Sequence, residues 1–306
     1  MTQRILLIIF LVSISSLGFA QRPVSVSYKY DKTTEKYIFE AKNSTNEYIT
    51  LVVYFNRLSS LNASTTLPAV KTIRTGTTRL FTLEKMGTNT PSFDYGWVYW
   101  FGTHNAKVKD VQYLLPTTAG TKIAVFNTNT VKDVLGQKDD TDYYGLAFKL
   151  VDGDTITAIR KGIVEAIQQE NQTDTLKYTY TKNRNFLKIR HEDGTVARYS
   201  NFRNESVQVS EGDEVNPGDP LAIATQTNQM GDATLLITVS HLHIDPDDGK
   251  NYRDWSSNKY VRPKFKTKNY EGLLEPGKTY ISTISTDLIT QEMGKREKKK
   301  YLKSSK

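Results

Sequence analysis

Short runs of alternating apolar and polar residues constrain the fold more than any other feature of this sequence. They recur at intervals of about ten residues and are separated by clusters of Asn, Ser, Thr and Gly, which is typical of a β-sandwich. No helical periodicity longer than two turns is present among them. The sequence therefore predicts an all-β chain that begins with an immunoglobulin-like β-sandwich at residues 22–116. The runs are Val24–Tyr30, Lys36–Lys42, Tyr48–Phe55, Arg79–Leu83 and Tyr95–Gly102.

The residue types that the chain lacks exclude several kinds of site. It contains no cysteine and only four histidines. Disulfides, thiolate metal sites and cysteine nucleophiles are therefore excluded. The length of 306 residues predicts two domains, because a domain usually has about 100–200 residues.

Both ends of the chain differ from its body. Arg4, the apolar run Ile5–Val12 and the small residues before Ala20 are typical of a signal peptide at residues 1–20. We expect cleavage after Ala20 and export to the periplasm or the exterior, with an uncleaved anchor as the alternative. Residues 288–306 are predicted to be a disordered basic tail, in which residues 294–306 could contact an anionic surface.

The net charge of +8 comes mainly from this tail. Residues 294–306 hold seven of the 41 Lys and Arg residues and one of the 33 acidic residues, so the body is nearly neutral. A nucleic-acid-binding domain would carry its basic residues on a folded face. We therefore expect no nucleic-acid partner.

A second β-rich region, expected at residues 143–287 after a linker at 117–142, contains turns in a fixed order. Asp152-Gly153 and Asp193-Gly194 are tight-turn signals, because glycine readily adopts a positive φ. Between Val209 and Leu221 the sequence repeats Gly-Asp twice around one short strand, which indicates a pair of turns.

This ordered set resembles the LytM-type (M23) zinc peptidase domain, which cleaves the peptide cross-links of bacterial cell walls. The resemblance spans about 100 residues and implies a duplicated-turn antiparallel β-sheet domain. It also implies an exported location, in agreement with the signal peptide.

The residues that carry the family's chemistry are replaced. Tyr143 and Ala147 stand at the zinc-binding His and Asp of His-x-Gly-x-Asp, and an alanine has no ligand atom. Asn201 stands at a catalytic His, and an amide neither takes nor donates a proton near neutral pH. The final His-x-His falls on Thr234 and Leu236, a catalytic and a metal position respectively.

His241-Leu242-His243 is a His-x-His seven residues beyond the expected place. An insertion in the alignment would make these two residues the family's pair, although the first two ligands would still be missing. The acidic segment that follows, Asp245–Gly249, is interpreted as a turn and not as a calcium loop.

Three functions follow from these observations. The first is a catalytically inactive M23-like module that needs no cofactor and binds peptidoglycan or regulates a cell-wall hydrolase. Its groove would be lined by Tyr143, Tyr199, Asn201, Thr234 and Leu236. The second is an active zinc endopeptidase that uses His241 and His243. The third is a surface adhesin whose first domain binds glycans, with Trp97, Tyr99, Trp100 and Phe101 as an aromatic cluster.

Overall fold

The structure is a computed structural model that describes residues 22–128, 143–171, 184–226, 232–245 and 251–304. The predicted signal peptide lies outside these residues, as do most of the predicted linker and residues 246–250 of the acidic turn. The described chain is almost entirely β, which confirms the predicted fold class. None of the helices in these ranges is long and apolar enough to cross a membrane.

Two antiparallel sheets form the first domain. One sheet has the strand order β1-β2-β6-β4 and the other β5-β3-β7. Their inward side chains pack into one core, which includes Phe39, Leu51 and Phe81. The strands are β1 (Val24–Asp31), β2 (Lys36–Asn43), β3 (Ile49–Ser59), β4 (Leu61–Ala63), β5 (Ala69–Ile73), β6 (Gly76–Lys85) and β7 (Ser92–Phe101).

Alternation along β1 shows why the sequence folds in this way. Val24 and Val26 are buried, whereas Ser25 and Ser27 between them are exposed. Successive side chains of a strand point to opposite faces of the sheet, so an alternating run places one face on the core and the other in solvent. The first domain is thus a β domain of two antiparallel sheets that share one core.

The second domain is built on a nine-stranded sheet. Eight of its strands follow the order β15-β12-β13-β14-β17-β10-β9-β21, and β18 pairs with the far half of β17. Two small sheets, β11-β16 and β20-β19-β8, complete the domain. The strands are β8 (Gln112–Tyr113), β9 (Lys122–Asn127), β10 (Leu146–Val151), β11 (Thr155–Thr157), β12 (Gly162–Gln168), β13 (Phe186–Arg190), β14 (Val196–Ser200), β15 (Glu214–Val215), β16 (Pro220–Ile223), β17 (Asp232–Ile244), β18 (Ser256–Tyr260), β19 (Lys264–Lys266), β20 (Glu271–Leu273) and β21 (Thr279–Ile281).

Strand β17 contributes to two hydrophobic cores. Its odd-numbered residues from Ala233 to Val239 are buried in the core of the second domain. Farther along, Leu242 and Ile244 on the opposite face are buried with Val52 of the first domain and with Trp255. The second cluster joins the domains, and Tyr54 stacks on Tyr252 beside it with ring centroids 4.0 Å apart.

Polar contacts extend this junction. Lys188 of β13 forms an ion pair with Glu47 of the first domain. Arg190 lies over the Tyr48 ring, with its guanidinium carbon 3.8 Å from the ring centroid. The buried Glu165 accepts hydrogen bonds from Arg190 Nε at 2.7 Å and from the Tyr48 backbone N–H at 3.2 Å.

Two of the predicted boundaries differ from the structure. Tyr113 and Leu115 are buried in the core of the second domain, so the first domain ends before residue 116. Part of the predicted linker is structured, since β9 lies in the second sheet between β10 and the end strand β21.

The expectation of a disordered tail at residues 288–306 is wrong for residues 288–304. Thr286–Thr290 forms the short helix α1, and Lys295–Ser304 forms the helix α2. Glu292, between the helices, pairs with Arg160, and Glu297 of α2 pairs with Lys161. These carboxylates fix the tail to the second domain by contacts with residues more than 130 positions away, which local charge patterning does not reveal.

Candidate functional site

Five neighbouring strands place one line of side chains across the second domain. Phe126, Ala147, Leu236, Ser200 and Phe186 are paired in succession along β9, β10, β17, β14 and β13. Directly paired residues point to the same face and lie about 5 Å apart. We call this line the Ala147–Leu236 row. Phe126 at one end is exposed and Phe186 at the other is half-buried, whereas Ala147 and Ser200 between them are buried and Leu236 is half-buried.

The row contains two of the positions that the resemblance assigns to the metal. Ala147 and Leu236 are direct cross-strand partners, so the register brings together the two positions that sequence reasoning singled out. Thr234 follows on the same face, two residues along β17, and pairs with Lys149. Neither alanine nor leucine has an atom that can bind zinc, so the row does not fit that metal.

Tyr143 lies just before β10, at one side of this face. Its hydroxyl accepts a hydrogen bond from Thr128 Oγ1 at 3.3 Å, and its ring meets Tyr260 edge to face with centroids 4.9 Å apart. A side chain at Gly145 would come within 2.7 Å of the Tyr143 hydroxyl and 2.6 Å of Thr128 Oγ1. Gly145 therefore makes room for this packing.

Asn201 and Tyr199 have different surroundings from those expected of groove residues. Asn201 is half-exposed and follows β14 with a φ of 71°. Tyr199 is buried, and its hydroxyl accepts a hydrogen bond from the Ile159 N–H at 2.9 Å. Burial raises the pKa of Tyr199 well above its ordinary value. The prediction that Tyr199 lines a groove is wrong, because its ring points into the core with Ala197.

His241 and His243 lie away from the row. They are odd-numbered residues of β17, and the face that carries Leu236 is the even-numbered one. His241 is five residues beyond Leu236, about 17 Å along a strand. The His243 ring lies 6.3 Å from that of His104, whose Nδ1 accepts the Ile244 N–H at 3.2 Å. Within the described ranges, no three His, Asp or Glu side chains are grouped to hold a metal ion.

The aromatic cluster of β7 is divided between two interiors. Trp97 and Tyr99 pack against the first-domain core, and Trp100 packs against the cluster that joins the domains. Phe101 is exposed, and Lys188 Nζ lies 5.6 Å from its ring centroid. The cluster is therefore not one continuous aromatic platform.

Sequence reasoning missed Arg198, which extends to the row from the next position on the same face of β14. Its Nε donates to Ser200 Oγ at 3.3 Å, and its guanidinium carbon lies 4.0 Å from the centroid of the Phe186 ring. Burial lowers the pKa of Arg198, the Glu47 carboxylate raises it, and Arg184 lowers it. The alternation of residue types could have indicated this position. Lys188 and Arg198 occupy even positions of strands whose odd positions are apolar, so both lie on the face opposite the core.

Residues 141–254 match the model of peptidase family M23. This stretch includes all of the Ala147–Leu236 row except Phe126, together with Arg198 and both histidines of β17. The match identifies it as an M23 peptidase domain, as the ordered turns indicated. No curated protein matches the chain.

Solved structures of M23 peptidases show low similarity to this chain. A protein described as a glycyl-glycine endopeptidase LytM from Ruminococcus gnavus is 12% identical with a TM-score of 0.31, and the match covers 50% of this chain and 56% of that one. The chain thus spans just over half of that relative. Pseudoalterin, a deep-sea M23 metalloprotease, is 13% identical with a TM-score of 0.30, and the match covers 55% of this chain and 98% of that one. Helicobacter pylori Csd3 is 12% identical with a TM-score of 0.29, and the match covers 71% of this chain and 72% of that one.

Proposed function

We propose that this protein is an exported, non-catalytic M23-type module that binds the cell wall or regulates a partner hydrolase. The observation that carries the proposal is the Ala147–Leu236 row, where two positions that bind zinc in the family hold apolar side chains side by side. Without a metal at these positions nothing polarises a scissile carbonyl, and Asn201 cannot activate water. What remains is a shaped face on an M23 domain, and the family's substrate is the bacterial wall.

The charge beside the row also supports loss of the metal. Arg198 carries a positive charge to Ser200, which is the direct neighbour of Leu236. A guanidinium held next to the row repels a divalent cation and attracts an anion. The sign of this interaction does not depend on the dielectric constant. The apolar substitutions in the row and the charge of Arg198 thus both lower the affinity of this face for a metal ion.

The helix α2 gives the protein a second surface for an anionic wall or membrane. At 100° per residue, its five exposed cations fall within an arc of about 140° on one side of the helix. Glu297 and Tyr301, on the other side, are half-buried. The five are Lys295, Arg296, Lys299, Lys300 and Lys303.

The mature chain, residues 21–306, is expected to bind purified peptidoglycan, to contain no stoichiometric zinc and to leave the peptidoglycan intact. Co-sedimentation, metal analysis and release of soluble fragments on one preparation measure the three properties, with an active M23 peptidase as the positive control. The α2 contact should weaken as salt is raised, because exposed charges are screened. Binding that does not weaken with salt would argue against a role for α2.

The same assays test the alternative endopeptidase. About one zinc per chain, together with lytic activity that disappears in the His241→Ala/His243→Ala variant, would overturn the proposal. If the protein neither binds peptidoglycan nor changes the rate of the active peptidase, the proposal also fails. Glycan binding retained by a chain that lacks the M23 domain would favour the adhesin.

Restoring the family's ligands should create a zinc site. The variant Tyr143→His/Ala147→Asp/Leu236→His is expected to bind about one zinc per chain, because a tetrahedral site with three protein ligands suffices for a catalytic zinc. Isothermal titration with zinc measures the change. The matched control, Tyr143→His/Lys149→Asp/Thr234→His, moves the paired substitutions by two residues on the same face and should bind far less. Equal binding by both variants would contradict the assigned register.

A further inference from the structure

Among the described residues Arg198 has no acidic partner, in contrast to three cations near it in the same domain. Arg190 is paired with Glu165, Lys188 with Glu47 and Lys161 with Glu297. For Arg198, among the described residues, the hydrogen-bond acceptor is the Ser200 hydroxyl and no carboxylate lies at ion-pair distance. A half-buried guanidinium has lost part of its hydration, which a charged partner normally compensates.

The surroundings of Arg198 hold it in place for a ligand. The Phe186 ring supports the guanidinium from one side at 4.0 Å, and Ser200 fixes its Nε. A guanidinium has five N–H donors in a planar fork. Ser200 uses only the Nε donor, so the other donors can bind an acceptor with two oxygens, such as a carboxylate. The Glu47 carboxylate raises the pKa of Arg198 from a distance, but Glu47 itself is paired with Lys188.

The floor next to the guanidinium is apolar. Leu236 and Ala147 follow Ser200 along the row, one strand spacing of about 4.8 Å after another. A ligand whose carboxylate meets Arg198 would place its neighbouring atoms over these side chains. Small aliphatic groups fit such a floor better than a second charge, because burying an unpaired charge is costly.

We infer that the Ala147–Leu236 row and Arg198 form a binding site for the free C-terminal carboxylate of a peptide that ends in small apolar residues. The inference rests on the proposed function, which supplies wall peptides as the ligand class. Arg198 binds the carboxylate, Phe186 and Ser200 position the guanidinium, and the half-buried Leu236 contacts the terminal side chains beside the buried Ala147. The site that binds a cation in the family would thus bind an anion here.

Two synthetic probes test the inference on the mature chain: an N-acetylated pentapeptide that ends in D-Ala-D-Ala, and its C-terminal carboxamide. The wild-type chain should bind the acid ten- to a hundredfold more tightly than the amide, because a hydrogen bond to a charged group is worth about 1.5–3 kcal/mol. Arg198→Gln should lower the affinity for the acid to that for the amide. Isothermal titration calorimetry measures both affinities.

Two matched variants separate this site from general effects. Arg203→Gln makes the same change at an exposed arginine of the same domain that is paired with Asp152, and it should leave the preference for the acid unchanged. Arg198→Lys keeps the charge and should retain part of the preference, provided that both Arg198 variants unfold with the wild-type thermal midpoint. Equal affinity of the wild type for acid and amide, or no binding of the acid, would overturn the inference.

The proposed function can fail separately. If the chain sediments with peptidoglycan but shows no preference for the acid, the carboxylate site is wrong and wall binding stands. If it binds the acid through Arg198 yet neither sediments with peptidoglycan nor affects the active peptidase, the proposed function is wrong and the site stands.

Discussion

Replacing Arg160 by methionine is expected to lower the free energy of unfolding of this protein by about 3–5 kcal/mol. The Arg160 side chain is fully buried and pairs with Asp193 at 2.9 Å and with Glu292 at 2.7 Å. Its Nη1 also donates to the Tyr113 hydroxyl at 2.9 Å. The substitution leaves two buried carboxylates without a positive charge between them, and that uncompensated burial is the source of the loss.

Urea unfolding at pH 7 measures this loss, and two further variants show its origin. Lys109→Met removes a cation whose pair with Glu192 is largely exposed, and it should cost less than about 1 kcal/mol. Neutralising both carboxylates in Arg160→Met/Asp193→Asn/Glu292→Gln should recover part of the stability. A loss below about 1 kcal/mol for Arg160→Met alone would show that the buried ion pairs do not hold the C-terminal segment.

Acidification below pH 6.5 is expected to destabilise the protein through His191. This ring is fully buried, and Nδ1–H donates to the Lys161 carbonyl at 2.7 Å. Burial and the nearby Arg160 lower the pKa of His191 to about 3, against the opposing effects of the Lys161 carbonyl and Asp193. The unfolded chain takes up the proton near pH 6.5, while the folded chain remains neutral at this position.

The sign of the effect follows from this difference. The contribution of His191 is fully present above pH 6.5 and is lost as the pH falls toward 3, at about 1.4 kcal/mol per pH unit. Between pH 7 and pH 5 the wild type should lose about 2 kcal/mol more than His191→Asn, whose amide can donate to the same carbonyl without titrating. Both proteins contain His104, so its protonation does not contribute to the difference between them. Parallel urea-midpoint curves for the two proteins would contradict this role.

The residues inside each strand were predictable from local patterning, because alternation fixes which side chains share a face. Val24 and Val26 show this in the first domain, and the odd-numbered residues of β17 show it in the second. The burial of Tyr199 was predictable in the same way, since Tyr199 lies two residues after the buried Ala197 and on the same face of β14. Alternation thus places Tyr199 in the core, whereas the family motif implies a position in the groove.

The rest depends on contacts between distant parts of the chain. Helix α2 has the composition of a solvated tail, and its order depends on Glu297 meeting Lys161. His241 and His243 have suitable spacing for a metal, but the strand pairing places them beside β18 instead of the row. The relation of Arg198 to the row depends on the register between β14 and β17, which no local pattern specifies.

Strand β17 is continuous from the row to the junction with the first domain. Leu236 and Leu242 lie six residues apart on the same face, one in the candidate site and the other against Val52. A hydrogen-bonded strand held on both sides resists bending, so the two domains cannot tilt against each other without disturbing either the junction or the row. The continuous pairing of β17 therefore couples the position of the first domain to the geometry of the Ala147–Leu236 row.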